Sequence, residues 1–454
     1  MEIKRLLPED ITAEYIDTLN DARYMQYSRN AQSIHTIDSQ VEYVKSFDRE
    51  TLDPRSLIFG VFLQEKLICT LTVYFDKAVS IVNIGVLVFK TASSKGVAKY
   101  SLSVISRWLS ARYPVYTIQV GTHKSNLPMI RTALSCGYFQ ISNDLSDYVF
   151  FQYQRSPLQN EALLFINKFI GPTLFFASDT GGAENLMEVF LRANLEKTLL
   201  VRGKGEQVFR HYGIKYLSEV SREYSDYQSL IFSSGADNSE LAIVQDKSGN
   251  SGSNQVCVLD HWVNYSKRFS VKNFAIPETF VVTNEISHFL ASRHFMSSKI
   301  VLIPDYRLKR LQELMMVDFS RDESCVLVLL EPERAWLEGV GEITRDTQVS
   351  TIMQAMLICE SMGLRSVVVR LHPAMRESGL IRDLVKSETV VRFSMYSRIE
   401  DELPAAKAVV GLSSSLLYAT ASLGIPTFTT LEFTKNSWIG LFGKIKFLPR
   451  KQFS

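Results

Sequence analysis

The sequence has no apolar run approaching the roughly 18 residues that a membrane-spanning helix requires, so no segment is expected to cross a bilayer. Neither sign of charge is in excess: 50 Lys and Arg stand against 48 Asp and Glu, for a net charge of +2. Nucleic-acid binders usually carry a basic surplus or stripe, and no nucleic-acid partner is expected. Cysteine is sparse. The five residues, Cys69, Cys136, Cys257, Cys325 and Cys359, are odd in number, far apart and set among apolar neighbours. That spacing suits neither a disulfide framework nor a zinc site and reads as reduced core thiols; no metal is expected. The P-loop pattern G-x-x-x-x-G-K-[ST] is missing, which excludes an NTPase of that type. The opening MEIKRLLPEDITAEY turns acidic before a signal-peptide core could form, so a cytoplasmic location is the expectation.

What is present describes a folded α/β chain of several domains. Hydrophobic residues make up 46% and charged residues 22% of 454, a globular profile, and the length suits two to four domains. No internal repeat or long low-complexity segment occurs. In the first 155 residues, Ser56–Leu63 and Leu67–Phe75 read as a hairpin joined at Gln64-Glu65-Lys66. Ile81–Phe89 and Val115–Val120 read as further strands. Between them, Lys99–Ala111 sets Leu102, Ile105, Trp108 and Leu109 on one helical face.

Beyond the connection Ser156–Gly171 the rhythm changes to apolar strand-like runs alternating with amphipathic helical stretches, the pattern of βα units around a parallel sheet. One series holds Thr173–Ala177, Lys197–Val201, Ser229–Phe232, Val256–Leu259, Thr279–Val282 and Ile300–Ile303. A second holds Cys325–Leu330, Ser366–Arg370, Val390–Phe393, Ala408–Val410 and Thr427–Thr429. The tract Asp246–Asn254 is expected to be a surface loop. The expected domains are therefore 1–155, 172–320 and 321–454, the last two as Rossmann-like halves.

Chemistry-bearing residues concentrate at strand ends. After Ile84–Phe89 comes Thr91-Ala92-Ser93-Ser94-Lys95-Gly96-Val97-Ala98-Lys99, a small-residue loop opening a helix, where backbone N–H groups can hold an anion such as a diphosphate. After Val115–Val120 come His123 and Asn126, a short helix Pro128–Ser135, then Cys136-Gly137-Tyr138. In this order the segment resembles the GNAT family of N-acetyltransferases. The family's Gln/Arg-x-x-Gly-x-Gly/Ala loop corresponds to Ser93, Gly96 and Ala98, its Asn to Asn126, and its Gly-aromatic pair to Gly137 and Tyr138. Leu19-Asn20-Asp21, Tyr27-Ser28-Arg29-Asn30, His35-Thr36 and Tyr43-Val44 are similar to the substrate-side helices of its ribosomal-protein and amino-sugar branch.

The resemblance implies acetyl transfer from acetyl-CoA to a primary amine. Val86 and Val88 would pair with the pantetheine arm, Lys95, Gly96, Val97, Ala98 and Lys99 would hold the diphosphate, and Asn126 would steady the cofactor. Two departures stand out: Ser93 replaces Gln or Arg, and the general-acid tyrosine found in many relatives is replaced by Ala133. His123 is the preferred candidate base over His35.

In the second part, Ala177-Ser178-Asp179-Thr180-Gly181-Gly182 and Leu259-Asp260-His261-Trp262 end strands, with Asp179 and His261 as acid/base candidates. The second pair reads equally as a capped turn. Arg370-Leu371-His372-Pro373 ends another strand, and Gly411-Leu412-Ser413-Ser414-Ser415 joins a strand to a helix with donors suited to phosphate. The His-Pro and Ser-Ser pairing resembles bacterial sialyltransferase-type and polyol-phosphate transferase-type enzymes of the GT-B fold, which use CMP- or CDP-activated donors without a bound metal. UDP-sugar hydrolases and epimerases share that layout. The resemblance implies nucleotide contacts from Glu331, His372, Pro373, Gly411, Ser413, Ser414 and Ser415.

Together these readings describe a bifunctional enzyme of surface-polysaccharide (nonulosonic-acid type) biosynthesis. It would acetylate an amino sugar and transfer a glycosyl or glycosyl-phosphate group from a nucleotide-activated sugar, in peripheral association with membrane-bound glycan assembly. The alternatives for the second part are a UDP-sugar hydrolase and a non-catalytic sugar-binding module.

Overall fold

The computed structural model describes residues 1–28, 33–141, 147–154, 166, 169, 171–219, 227–234, 254–260, 265, 269, 276–319, 324–337, 341–372, 375, 389–395, 398–435 and 437–448, with backbone only at 334–337 and 341. The expected loop Asp246–Asn254 and connection Ser156–Gly171 lie largely outside these residues, and His261 and Pro373 lie wholly outside them. The chain forms two compact units: Met1–Pro157 with Gln312–Asp322, and Leu158–Leu311 with Glu323–Ser454.

The first unit is built on one mixed sheet. Its own strands and helices are β1 (Glu2–Arg5), α1 (Ala13–Leu19), α2 (Ile37–Lys45), β2 (Ser56–Leu63), β3 (Lys66–Asp76), β4 (Ile81–Val88), α3 (Val97–Arg112), β5 (Thr117–His123), α4 (Leu127–Ser135), β6 (Tyr138–Ile141) and β7 (Tyr148–Tyr153). The eight-stranded order runs from Val317–Asp318, a strand supplied from far along the chain, through β1, β2, β3, β4 and β5 to β7 and β6. That returning strand is parallel to β1, pairing Ile3 with Val317 and Lys4 with Asp318.

The β2–β3 hairpin turns at Gln64 and Glu65, both with positive φ (49° and 65°), the conformation that suits the twist of a two-residue hairpin loop. Both faces of the sheet are covered. On one, Leu102, Ile105, Trp108 and Leu109 of α3 are buried in a cluster with Phe59, Leu71 and Val120, joined by Leu314, Val317 and Phe319. On the other, Tyr15 and Leu19 of α1 and Val44 of α2 pack with Ile58 and Phe89. Threonine hydroxyls cap α1 and α2, Thr12 accepting from the Tyr15 N–H and Thr36 from that of Ser39, each worth about 1 kcal/mol.

The second unit holds two parallel six-stranded sheets. The first comprises β8 (Thr173–Ala177), β9 (Lys197–Val201), β10 (Ser229–Ser233), β11 (Asn254–Val258), β12 (Thr279–Val282) and β13 (Lys299–Leu302), with helices α5 (Thr180–Arg192), α6 (Gly205–His211), α7 (Glu285–His294) and α8 (Tyr306–Leu314) among them. Its order is β13-β12-β11-β10-β8-β9, so chain direction across the sheet reverses between β8 and β10.

After β14, the returning Val317–Asp318, come β15 (Cys325–Leu329), the short pair β16 (Arg334–Leu337) and β17 (Gly341–Ile343), then α9 (Arg345–Ser361), β18 (Ser366–Arg370), β19 (Val390–Phe393), β20 (Ala406–Gly411), α10 (Ser415–Ser422), β21 (Thr427–Thr429), α11 (Trp438–Phe442) and β22 (Lys446–Phe447). The second sheet has the order β19-β18-β15-β20-β21-β22, reversing between β15 and β20. Thr173–Ala177, Ser229–Ser233 and Cys325–Leu329 are buried at every position. They read as unbroken apolar runs because a parallel sheet covered on both faces leaves no side for polar residues.

Candidate active site

In the first unit the neighbouring strands β4 and β5 pair only over Ile81–Ile84 and Thr117–Val120. Beyond this point they diverge, and Gly85–Val88 keeps its antiparallel partner β3 while losing β5. Strand backbone alternates sides residue by residue. The Phe89 N–H bonds Ile68 O on the β3 side and Ser80 O accepts from the Thr117 N–H on the β5 side, so the N–H and C=O groups of Val86 and Val88 face the gap. Such groups need a partner. One has it: the Tyr24 hydroxyl donates to Val88 O at 2.7 Å.

The gap opens into a cavity of about 1120 Å³, at the upper end of small-molecule sites and long enough for an extended cofactor with an acceptor beside it. One end is closed by the loop entering α3. Ser94 and Gly96 have φ of 61° and 77°, and Gly96 sits at the helix N-cap with no side chain capping the first turn. The N–H groups of that turn are therefore left for a ligand, at the end of a helix where an anion is favoured. A Cβ on Gly96 would meet nothing within 4 Å, so the space over this loop is open.

Of the expected cofactor residues, Val86, Val88, Gly96, Val97, Ala98, Lys99 and Asn126 line the cavity. Lys95 is exposed and outside that lining. Asn126 has a structural task as well: it caps α4, accepting from the Met129 N–H, and donates to the Thr122 hydroxyl at 3.0 Å. Ala133, at the position of the tyrosine in many relatives, is fully buried in the core. Instead α4 turns Pro128, Met129 and Thr132 toward the cavity.

The structure separates the two candidate histidines. His123 is outside the cavity lining; its ring stacks on Tyr27 at 5.8 Å and its Nδ1 accepts from the Ser125 N–H at 3.2 Å. His35 lines the cavity. The buried Tyr15 hydroxyl donates to Gln40 Oε1 at 3.0 Å, and Gln40 Nε2 meets His35 Nδ1 at 3.0 Å. His35 Nε2 is buried and has no hydrogen-bond partner among the described residues. Burial pushes the Tyr15 hydroxyl up to about 12, so Tyr15 stays neutral and holds the chain in place. Tyr43 and Tyr74 complete this wall with a hydroxyl–hydroxyl contact of 2.8 Å. Burial first and that contact second raise the Tyr43 hydroxyl above its ordinary value. Sequence reasoning passed over Gln40 and Tyr74 and met Tyr43 only within the substrate-side resemblance; the available signal was the three-residue step from Gln40 to Tyr43, which puts both on one side of α2.

In the second unit the remaining candidates gather where strand order reverses, the place where open parallel sheets bind ligands. Asp179 follows β8 and caps α5, accepting from the Gly182 N–H at 2.6 Å. A Cβ on Gly182 would lie 2.5 Å from Ser233 Oγ at the end of β10, so the helix start fits closely over the neighbouring strand. Ser234 donates to Asp260 at 2.9 Å.

At the second reversal, Glu331 after β15 reaches the loop after β20, where its buried carboxylate accepts from the Ser413 N–H at 2.6 Å and from the Ser413 hydroxyl at 3.0 Å. Ser414 caps α10 through the Leu416 N–H and Ser415 opens that helix. Gly411 is closely packed, a Cβ there meeting the Leu417 side chain at 2.9 Å and Leu329 O at 3.2 Å. The His372 N–H bonds Leu330 O at 3.1 Å, next to Glu331. Glu331, His372, Gly411, Ser413, Ser414 and Ser415 thus share the carboxyl edge of one sheet. Asp179 stands at the edge of the other.

No protein-family model matches the sequence, and no curated protein does. Among solved structures the first third of the chain is similar to acetyltransferases. One is the GNAT-family acetyltransferase from Streptococcus pneumoniae, with 12% identity over 33% of this chain and 95% of that one and a TM-score of 0.27. Another is a ribosomal alpha-N-protein acetyltransferase in complex with coenzyme A, at 12% identity, 33% and 90% coverage and TM-score 0.30. A third is a microcin self-immunity acetyltransferase in complex with acetyl-CoA and AMP, at 14% identity, 34% and 93% coverage and TM-score 0.29.

Proposed function

We propose that the first unit is a GNAT-type acetyltransferase that moves the acetyl group of acetyl-CoA to a primary amine. The observation that carries this reading is the divergence of β4 from β5 over a cavity whose end is the uncapped first turn of α3. The Val86 backbone and the Val88 N–H, turned to the gap, suit the amide-bearing pantetheine arm. The N–H groups of Val97, Ala98 and Lys99 suit a diphosphate, with the Lys99 side chain adding positive charge.

In the transfer, the amine nitrogen bonds to the thioester carbonyl carbon, the C–S bond breaks, and the amine gives up one proton. His35 takes that proton at Nε2 from the tautomer that carries its own proton on Nδ1, with the Gln40 amide turned so that Oε1 accepts from His35 Nδ1–H and the amide NH2 donates to the Tyr15 hydroxyl oxygen. Thiolate leaves without prior protonation, a thiol pKa near 8.5 making it a good leaving group. Holding both reactants along one strand edge supplies the orientation that makes the step effectively unimolecular.

For the second unit we propose a nucleotide site at the carboxyl edge of the β15–β20 sheet, formed by Glu331, His372 and the Ser413–Ser415 loop, in a pair of Rossmann-like halves of GT-B type. Joined to the first unit, it makes a bifunctional enzyme that N-acetylates an amino sugar and transfers a glycosyl or glycosyl-phosphate group from a nucleotide-activated donor. Calorimetry on the full chain tests both halves. Acetyl-CoA should bind with an affinity that falls on Lys99→Ala, and CMP, CDP or UDP should bind with an affinity that falls on Ser414→Ala and leaves acetyl-CoA binding unchanged. No heat with acetyl-CoA sinks the first reading; no heat with any pyrimidine nucleotide sinks the second.

A further inference from the structure

The wall of the cavity away from the α3 loop is polar but, among the described residues, carries no negative charge. Among the described residues, none lining the cavity is Asp or Glu. The groups facing the diverging strands there are Gln40, Tyr43, Thr70, Thr72, Tyr74 and Asn83, and burial raises the Tyr43 hydroxyl above the ordinary phenol range. The charged lining residues are cations, Arg23 and Lys99. Of the carboxylates on the nearby segments, Glu14, Asp21 and Glu42 are turned to Lys66, Lys90 and Lys45, and Asp17 and Asp38 lie outside the cavity lining.

An ammonium group entering this space would leave water without meeting a counter-charge, and burial of an unpaired charge is strongly disfavoured. A free amine meets hydroxyl and amide partners that can both donate and accept. We infer that the acceptor binds as the free base, and that the site therefore selects weakly basic primary amines on molecules of zero or negative net charge over lysine side chains and polycationic amines. This rests on the acetyl-transfer reading.

The selectivity follows from proton occupancy. An α-amino group titrates near 7.8 and a lysine ε-amine near 10.4. At pH 7.5 about a third of the former is free base and about one in 800 of the latter, a ratio of about 250. A site that paired the ammonium with a carboxylate would take the abundant form and erase most of this difference.

The test is steady-state coenzyme A release by the full chain, with an α-amino dipeptide amide and a phosphorylated amino sugar set against a blocked lysine amide and a polycationic aminoglycoside. The expected kcat/KM favours the weakly basic amines by about 100-fold or more at pH 7.5, and the gap over lysine narrows as pH rises. A trimethylammonium analogue of the preferred amine, permanently cationic, should fail to inhibit. Asn83→Asp, nearly isosteric, should raise the lysine-to-weak-amine ratio by at least tenfold. Equal or better turnover of the strong bases overturns the inference, as does competitive inhibition by the trimethylammonium analogue or an unmoved ratio in Asn83→Asp. Acetyl-CoA binding, measured in parallel, separates this from failure of the parent reading: its absence removes both, while its presence with the wrong amine preference removes the inference alone.

Discussion

Gly96 offers a perturbation whose two effects can be separated. Alanine at φ +77° costs about 1–2 kcal/mol, the penalty an L side chain meets in left-handed backbone. Because the new Cβ would touch nothing within 4 Å, no clash adds to that strain. In a unit of about 170 residues this lowers the melting temperature by about 2–8 °C, at about 2–4 °C per kcal/mol. The binding effect is larger. The methyl group stands over the open turn where a diphosphate would rest, and displacing one hydrogen bond to a charged group costs about 1.5–3 kcal/mol, or about 10- to 150-fold in affinity.

Gly424 is a matched control, with φ +83° and equally open surroundings in the second unit. Gly424→Ala should show comparable strain with no change in acetyl-CoA affinity. Calorimetric dissociation constants, taken well below both melting transitions, decide the matter. If Gly96→Ala melts early but binds acetyl-CoA like the parent protein, the loop is a turn and the diphosphate assignment is wrong.

Three further outcomes are expected. Residues 1–157 expressed alone lack the burial of Leu314, Val317 and Phe319, an upper estimate of about 5–9 kcal/mol at about 1.5–3 per side chain. Thermal melts should find that fragment unfolded or associating through the bare β1 edge, and a linker-joined 312–322 segment should restore it; a stable, monomeric fragment would count against the returning strand. His35→Gln should lower kcat by about 100-fold or more, in the range for lost proton transfer, with acetyl-CoA affinity kept within about twofold; a similar kcat would return the base to another group. Burial holds Tyr15 and Cys69 neutral up to about 12, against ordinary values of 10 and 9. Both folded values are raised, so the stability they confer is complete below pH 9 and is lost as pH climbs toward 12, by up to about 1.4 kcal/mol per pH unit for each group. Denaturant midpoints at pH 8, 10 and 11.5 measure the loss, and Tyr15→Phe should flatten it; an unchanged slope would refute the assignment.

Much of this architecture is legible in the residue pattern, for a physical reason that varies by region. Strands such as Thr173–Ala177 and Ser366–Arg370 stand where their apolar runs place them, because short runs between polar turns have few other ways to bury both faces. Gly96 was legible because a glycine at the start of an amphipathic helix carries local conformational information.

Val317–Asp318 was not. Two residues hold no periodicity, and their pairing with Ile3 and Lys4 spans most of the chain. The different surroundings of His123 and His35 were hidden for a related reason. His123 follows a recognisable strand, whereas His35 reaches the cavity through Gln40 and Tyr15, contacts that only the assembled sheet and helices create.

That same two-residue strand sets a clock on synthesis. Ribosomes add about 5–20 residues each second, so roughly 8–30 s separate emergence of the first unit's main segment from emergence of the strand that completes its sheet. During that interval the nascent chain makes every strand of the second unit's first sheet, from β8 to β13. A whole sheet of the second unit is thus translated before the first unit's sheet can be completed, and the β1 edge awaits its partner while the chain grows. Slow codons placed between residues 157 and 312 would lengthen that exposure, and fast ones would shorten it.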